Sequence, residues 1–417
     1  MKLSRYLLNI KGRNGRTIWY HSISRAVLYL PAKYSADPAN ALGSLGSREY
    51  TELRHMMFLF PDDFDEDLFY RYWYKSLQYS PEILSFTIHT TLDCNLSCGY
   101  CYEKSLSRRM SMADPDTVAE WMAGMAVSRR ARHIDIGYIG GEPLLNVRAI
   151  EMIGRRMQTT GLPVSSMVIT NGTLLTPAVV KRLGKLGINK YQVTLDGEAG
   201  THDKLRPFPD GKGSYALIMN NLARVGDLCE IYINVNLSKE NERSIGRLLA
   251  AARRRALKAK FMFSVVFEEQ KGCLGDGIAL EKGSVAWLKS HRKATADGNK
   301  FRPFYRNSYG PCTLYRENYF VVAPDGALYK CSAAVGNEKY RIGCISDSES
   351  YMVKARTAQF LESEHSLPAC SNCGFRPNCD SGCSYQVDLA EKRSCNKRDF
   401  VDNDLPLIAD FAEGLEK

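Results

Sequence analysis

No run of about 18 apolar residues occurs in the 417-residue chain, so a membrane-spanning helix is not expected. A secretory signal is also missing: the short apolar patch after Met1 is soon interrupted by Lys11, Arg13 and Arg16, with no cleavage pattern. Both absences predict a cytoplasmic protein. No nucleic-acid motif accompanies the net charge of +10. The basic runs Arg129-Arg130-Ala131-Arg132 and Arg253-Arg254-Arg255 read as solvated helix faces, or as attraction to an acidic partner such as a peptide. At 44% hydrophobic and 24% charged residues the composition is that of an ordinary soluble protein, long enough for two or three domains.

Cysteine is not scarce. Thirteen of them in a chain read as cytoplasmic point to metal ligands rather than disulfides. Cys94, Cys98 and Cys101 stand at C-x3-C-x2-C spacing, directly after the β-prone run Ile83-Leu84-Ser85-Phe86-Thr87-Ile88. Cys312, Cys331, Cys370, Cys373, Cys379, Cys383 and Cys395 form a second set, leaving Cys229, Cys273 and Cys344. Three thiolates on one loop can hold three irons of a [4Fe–4S] cube and leave the fourth iron open to a chelating ligand. Tetrahedral zinc with a distant fourth ligand fits the same spacing.

Residues 1–82 read as a small α+β unit, with strands at 4–10, 17–22 and 26–30, and helices at 49–58 and 65–79, the second capped by Asp62 or Asp63. It resembles winged-helix modules that hold a leader peptide by adding a strand to a sheet edge, or it is a packing appendage. From residue 83 strands alternate with helices: strands at 83–89, 134–139, 164–170, 190–195, 230–237 and 260–266. The intervening helices fall at 115–129, 146–159, 177–186, 214–227 and 244–257, with Asp114-Pro115 opening the first. Six such units build an α/β fold, a parallel sheet curled into a partial (β/α)6 barrel, with chemistry at its carboxyl edge.

Four strand ends carry polar and glycine residues: Gly140-Gly141-Glu142-Pro143, Thr170-Asn171-Gly172-Thr173, Thr194-Leu195-Asp196-Gly197 (with Arg206 beyond) and Asn234-Val235-Asn236-Leu237. Together with the cysteine loop, they resemble the radical S-adenosylmethionine enzymes. The resemblance implies that Cys94, Cys98 and Cys101 ligate a [4Fe–4S] cluster whose open iron chelates S-adenosylmethionine. It places Tyr100 near the adenine, Gly140, Gly141 and Glu142 on the methionine amino group, and Asn171 at the ribose. Thr194 offers a hydroxyl to the cofactor, Arg206 meets the methionine carboxylate and Leu237 packs on the adenine. His202 and Asp203 are expected to support Arg206 locally rather than to act as an acid–base pair.

The later cysteines, C-x2-C-x5-C-x3-C followed by Cys395, with Gly326-x4-Cys331 before them, are similar to the SPASM extension of that family. The resemblance implies two auxiliary [4Fe–4S] clusters, three in all. Cys370, Cys373, Cys379 and Cys395 would hold the outer one, and Cys312, Cys331 and Cys383 the inner one. An eighth cysteine expected shortly before Cys312 is missing, so the inner cluster has an open iron or is closed by a distant residue such as Cys273. The expected organisation is residues 1–82, a barrel at 83–300 and a cysteine-rich domain at 301–417. Ser332 stands where the sulfatase-maturing members have a proton-accepting aspartate, which disfavours formylglycine formation. The preferred expectation is a peptide maturase that installs an oxidative cross-link (thioether, ether or C–C) in a ribosomally made precursor with a leader. A flavodoxin or ferredoxin would supply its electrons. A sulfatase-type maturase and a non-catalytic peptide-binding scaffold are the alternatives.

Overall fold

The computed structural model describes residues 1–12, 16–30, 46–101, 103, 114–266, 279–280, 284–296, 310–363, 368–379, 382–385, 395 and 397–415. Three short strands open it: β1 (Leu7–Lys11), β2 (Thr17–His21) and β3 (Val27–Tyr29), antiparallel in that order. Every residue of β2 is buried, because the sheet is covered on both faces. Trp19 packs with Leu53 and Phe58 on one face, while Ile18 and Tyr20 pack with Ile408 and Ala412 on the other. The strand expected from residue 4 begins only at Leu7, since Leu7 N–H bonds back to the Ser4 carbonyl and makes a turn there; before the turn, Lys2–Leu3 pairs separately with Leu59–Phe60. Helices α1 (Ser47–His55) and α2 (Glu66–Gln78) follow.

The cap of α2 corrects the sequence reading. Asp65 accepts from the amides of Asp67 and Leu68, a role that requires the residue immediately before the helix. Asp62 instead pairs with the N-terminal ammonium at 2.7 Å.

The central unit alternates as its hydrophobic pattern dictates: β4 (Ile83–Thr91), α3 (Pro115–Ser128), β5 (His133–Gly140), α4 (Val147–Gln158), β6 (Val164–Thr170), α5 (Pro177–Gly184) and β7 (Lys190–Thr194). It continues with α6 (Ala199–Leu205), α7 (Tyr215–Val225), β8 (Glu230–Leu237), α8 (Ile245–Arg254) and β9 (Ala259–Val265). Caps set the helix starts: the side chains of Asp114, Asn146 and Thr176 each accept the amide three residues on. The six strands are parallel and sequential neighbours, as expected of a partial barrel. On β4, Leu84, Phe86 and Ile88 join the main core beneath the helices, leaving Ser85, Thr87 and His89 on the opposite face.

The sheet does not end at β4. The later strands β10 (Tyr319–Val322), β11 (Ala327–Tyr329) and β12 (Arg341–Cys344) extend it, with β10 parallel to β4 and Phe320 opposite Phe86. Among the described residues the order is β9-β8-β7-β6-β5-β4-β10-β11-β12. Helix α9 (Ala286–Ala296) covers β9, and its Arg292 is paired at 2.6 Å with Asp410 of α11 (Leu405–Leu415), with α10 (Tyr351–Leu361) between them in the chain. Among the described residues, no helix is long and apolar enough to cross a membrane.

Phe86 is the hinge pin of this extension, wholly buried between Trp121 of α3 and Phe320 of β10 at ring separations of 5.5 and 6.2 Å. Phe86→Ala is expected to cost about 3–5 kcal/mol of unfolding free energy. Urea denaturation showing a loss below about 1 kcal/mol would refute the packing role given to this ring.

Candidate functional site

The cysteine loop leaves the carboxyl end of β4 and is fastened at once to the end of β5. The amide of Gly141 donates to the Thr91 carbonyl at 3.0 Å, and that of Glu142 to the Asp93 carbonyl at 2.7 Å. A Cβ on Gly140, whose φ is +142°, would lie 2.0 Å from the Thr91 oxygen; one on Gly141 would lie 2.3 Å from that of Asp93. Both glycines are therefore demanded by backbone meeting backbone.

Glu142 is wholly buried behind this corner. Its carboxylate accepts from Thr170 Oγ1 (2.7 Å), the Asn171 amide (2.7 Å) and the Leu144 amide (3.0 Å). Burial raises its carboxyl above the usual range against the pull of those donors and of Arg206. Asn171 also ties β6 to the cysteine loop, donating to Asn95 Oδ1 at 2.8 Å and lying 3.9 Å from Cys94 Sγ. Burial pushes the Cys94 thiol up to about 11, with Glu142, Cys98 and Cys101 close enough to add to the rise.

A second network spans the ends of β7 and β8. Asp196 is wholly buried; it accepts the Tyr100 hydroxyl and the Asn236 amide (2.8 Å) and lies 3.5 Å from Arg206 Nη1. Arg206 Nη1 and Asn236 Nδ2 donate to the Tyr100 oxygen at 2.5 and 3.1 Å. Burial opposes the Arg206 charge, but Tyr100, Cys98 and Asp196 hold it above its ordinary value. Among the described residues, its buried Nε has no hydrogen-bond partner. Thr194 is buried at the end of β7, beside Asn234, and Leu237 lies wholly within the main core.

His202 and Asp203 are structural supports here. His202 accepts the Asp196 amide on Nδ1 at 3.1 Å and meets Ser214 Oγ through Nε2, while Ser214 donates to the Arg206 carbonyl. Burial lowers the His202 imidazole to about 3. Asp203 accepts the Tyr215 amide at the start of α7.

The later thiols form separate sets. Burial raises Cys331 to about 12, and Cys312 and Cys383 lie near enough to contribute. Tyr319, whose hydroxyl meets Thr87 Oγ1 at 2.7 Å on the first barrel strand, is influenced by both Cys331 and Cys312. Lys330, wholly buried, donates to the carbonyls of Arg316 and Tyr319, strapping the segment after Cys312 to the strand before Cys331. Cys370, Cys373 and Cys379 share one turn-rich segment, and Cys395 is exposed. Cys273 lies outside the described residues. Cys229 packs against the main core, and Cys344 ends β12.

Among the described residues no three Cys, His, Asp or Glu side chains converge as a single metal ion requires. A cube of four irons takes its thiolates one per iron and spreads them around itself. The residues fit such a group with its chelated ligand: three neighbouring thiols, a buried carboxylate for an ammonium, and a guanidinium nitrogen left free for a carboxylate.

Sequence reasoning passed over Asp196 and Asn236, although both stand in strand-end motifs it had singled out. Lys330 gave no signal beyond adjacency to Cys331. The buried His89, 3.4 Å from Glu103, shows only once strand alternation is fixed.

Residues 88–252 match the model of the Radical SAM superfamily, and the chain carries a radical SAM domain. It is 30% identical over 198 residues to an AdoMet-dependent heme synthase of Methanosarcina barkeri, covering 45% of this chain and 51% of that protein, about half its length. It is 24% identical over 320 residues to the mycofactocin maturase of Mycolicibacterium smegmatis, covering 71% of this chain and 77% of that one. Streptococcus suis SuiB bound to precursor peptide SuiA shares the fold at a TM-score of 0.55 and 14% identity, over 94% of this chain and 97% of that chain. The family implies S-adenosylmethionine and a [4Fe–4S] cluster.

His202 yields a pH prediction. Its folded value, about 3, lies below the unfolded value near 6.5, so its contribution is complete above pH 6.5 and is lost as pH falls towards 3. Urea titrations from pH 7 to 4 should show falling stability, shallower in His202→Gln. An imidazole resonance of His202 titrating near 6.5 would overturn the assignment.

Proposed function

We propose that this chain is a radical S-adenosylmethionine peptide maturase that installs an oxidative cross-link in a ribosomally made precursor. The observation that carries the radical chemistry is the Tyr100–Asp196–Arg206 network, closed around the buried Asp196 and joined to the cysteine loop by Tyr100, with Glu142 near enough to feel Arg206. Cys94, Cys98 and Cys101 would hold the cluster, Glu142 the methionine ammonium, and Arg206 its carboxylate through the free Nε. Bound there, the cofactor supplies the 5′-deoxyadenosyl radical that takes a hydrogen atom from the substrate.

The protein's own part is placement and exclusion of water. Asp196 and Asn236 fix Tyr100 and Arg206, so the guanidinium needs no reorganisation when a carboxylate arrives. Leu96 and Cys98 are buried, which shields that side of the cysteine loop from water. Cys312, Cys331 and Cys383 are assigned to an inner auxiliary cluster, and Cys370, Cys373, Cys379 and Cys395 to an outer one, making three [4Fe–4S] groups.

The peptide substrate is inferred from two supports. The described residues of 1–78 form a three-stranded sheet, a two-stranded pair (Lys2–Leu3 with Leu59–Phe60) and two helices; among them β3 is at a sheet edge to which a leader strand can add. The chain is similar to a protein named a mycofactocin maturase and shares its fold with SuiB, which was crystallised bound to a precursor peptide. Ser332, a hydroxyl where formylglycine chemistry expects a carboxylate, keeps the sulfatase-type reading second.

Anaerobic incubation with S-adenosylmethionine and dithionite should release 5′-deoxyadenosine, abolished in Cys98→Ala. Arg206→Lys should raise the KM for S-adenosylmethionine about tenfold or more through loss of a charge-assisted contact. Co-expression with the precursor peptide encoded beside the gene should give a product lighter by two hydrogens. No 5′-deoxyadenosine from the wild type would overturn the enzymatic reading, and an unmodified peptide would overturn the cross-link.

A further inference from the structure

The segment carrying Cys370, Cys373 and Cys379 does not stand alone: the N-terminal unit grips it at four points. Ser22 Oγ donates to the Gly374 carbonyl at 2.6 Å. Asn378 Nδ2 donates to the Tyr20 hydroxyl at 3.1 Å, and both residues are buried. Arg376 pairs with Asp67 of α2 at 3.2 Å and lies over the Tyr70 ring, 4.5 Å from its centroid. A Cβ on Gly374 would stand 3.0 Å from both the Arg5 carbonyl and a Leu8 methyl, so the two backbones are in close contact. On its other side the segment is held by Phe375 against Phe400, at 5.8 Å.

We infer that the N-terminal unit is the bracket of the outer metal site, and that Tyr20, Ser22, Asp67 and Tyr70 are positioning residues for it. The inference rests on the assignment of Cys370, Cys373, Cys379 and Cys395 to an auxiliary cluster. Within the segment itself, the described order comes from two short turns, Pro368–Cys370 and Arg376–Cys379, too short to hold three thiols in register without support. Each anchoring contact comes from a residue more than 300 positions away in sequence, so the bracket removes conformational freedom that metal binding would otherwise have to remove. The coupling is reciprocal: whatever stabilises the N-terminal unit, a bound peptide included, favours the loaded outer site, and a loaded outer site stiffens the N-terminal unit. Substrate capture and the readiness of the outer site thereby become one equilibrium.

The test uses the full chain. The variant Tyr20→Phe/Ser22→Ala/Asp67→Asn removes three of the anchoring contacts and leaves every cysteine in place. After anaerobic reconstitution its iron and acid-labile sulfide are expected to fall by about one cluster, about four irons per chain, matching Cys373→Ser. The spectrum of the reduced protein should lose the same component in both variants. A variant that melts like the wild type and keeps its full iron content overturns the inference.

Amide hydrogen exchange supplies the reverse measurement without disturbing the bracket. In Cys373→Ser, exchange in Thr17–His21 and Glu66–Gln78 is expected to quicken about tenfold or more relative to loaded wild type. Unchanged exchange, with the iron lost, overturns the inference but leaves the outer-site assignment standing. Iron unchanged in Cys373→Ser overturns both.

Discussion

The constraint on which the rest depends is the meeting of two backbones at the end of β4 and β5. Thr91 and Asp93 offer their carbonyls to Gly141 and Glu142, at separations that leave no room for a Cβ on either glycine. That contact fixes the exit of the cysteine loop relative to Glu142, and Glu142 in turn organises the end of β6 through Thr170 and Asn171. Because Asn171 reaches back to Asn95, the loop is tied at both its start and its flank. Three strand ends are thus tied together by five hydrogen bonds, two of them backbone to backbone. Gly140 and Gly141, placed by the resemblance on the methionine amino group, serve first as room for the protein's own backbone.

Electrostatics complete what the corner begins. Asp196 is wholly buried and Tyr100 and Arg206 are half-buried against it, so their mutual hydrogen bonds carry more weight than the same groups would on the open surface. An isolated buried guanidinium would be costly; here one carboxylate and a phenol oxygen share its charge. Among the described residues Nε has no hydrogen-bond partner, and it is there that the proposed cofactor's carboxylate would bind. His202, kept neutral by burial, contributes shape and one accepted amide rather than a second positive charge beside Arg206.

Much of this was legible in the chain. The period-2 runs and capping residues placed the barrel strands and helices to within a few residues, because local chemistry and tertiary demand agree there: Asp114 before Pro115 caps in isolation as it does in the fold. The capping of α2 was misread because Asp62, Asp63 and Asp65 are chemically alike, and only the turn bonding Phe64 to Pro61 decides which one abuts the helix. Lys330 and the grip of Ser22, Asp67 and Tyr20 on the segment of Gly374 to Asn378 had no signature, since they join residues that sequence separates and single-chain periodicity cannot pair. Asp196 was visible as part of a motif, but its role depends on Tyr100 arriving from the loop of a different strand.

The extension of the sheet past β4 changes how the two cysteine regions relate. The strand that delivers Cys94 at its carboxyl end also pairs, in parallel register, with β10, and β10 lies between Cys312 and Cys331 in the chain. Thr87 on β4 and Tyr319 on β10 close that junction with a hydroxyl pair, and Tyr319 is near enough to both thiols to feel them. The pairing admits no sliding by one residue, because a slip of β10 would turn Phe320 out of the core and away from Phe86, which β5 holds in place. The separation between the cysteine loop and the inner thiols is therefore set by hydrogen-bond register rather than by a linker. In the proposed enzyme, where a hydrogen atom leaves the substrate near one set of thiols and an electron departs towards the other, a distance fixed by a sheet is one that substrate binding cannot alter.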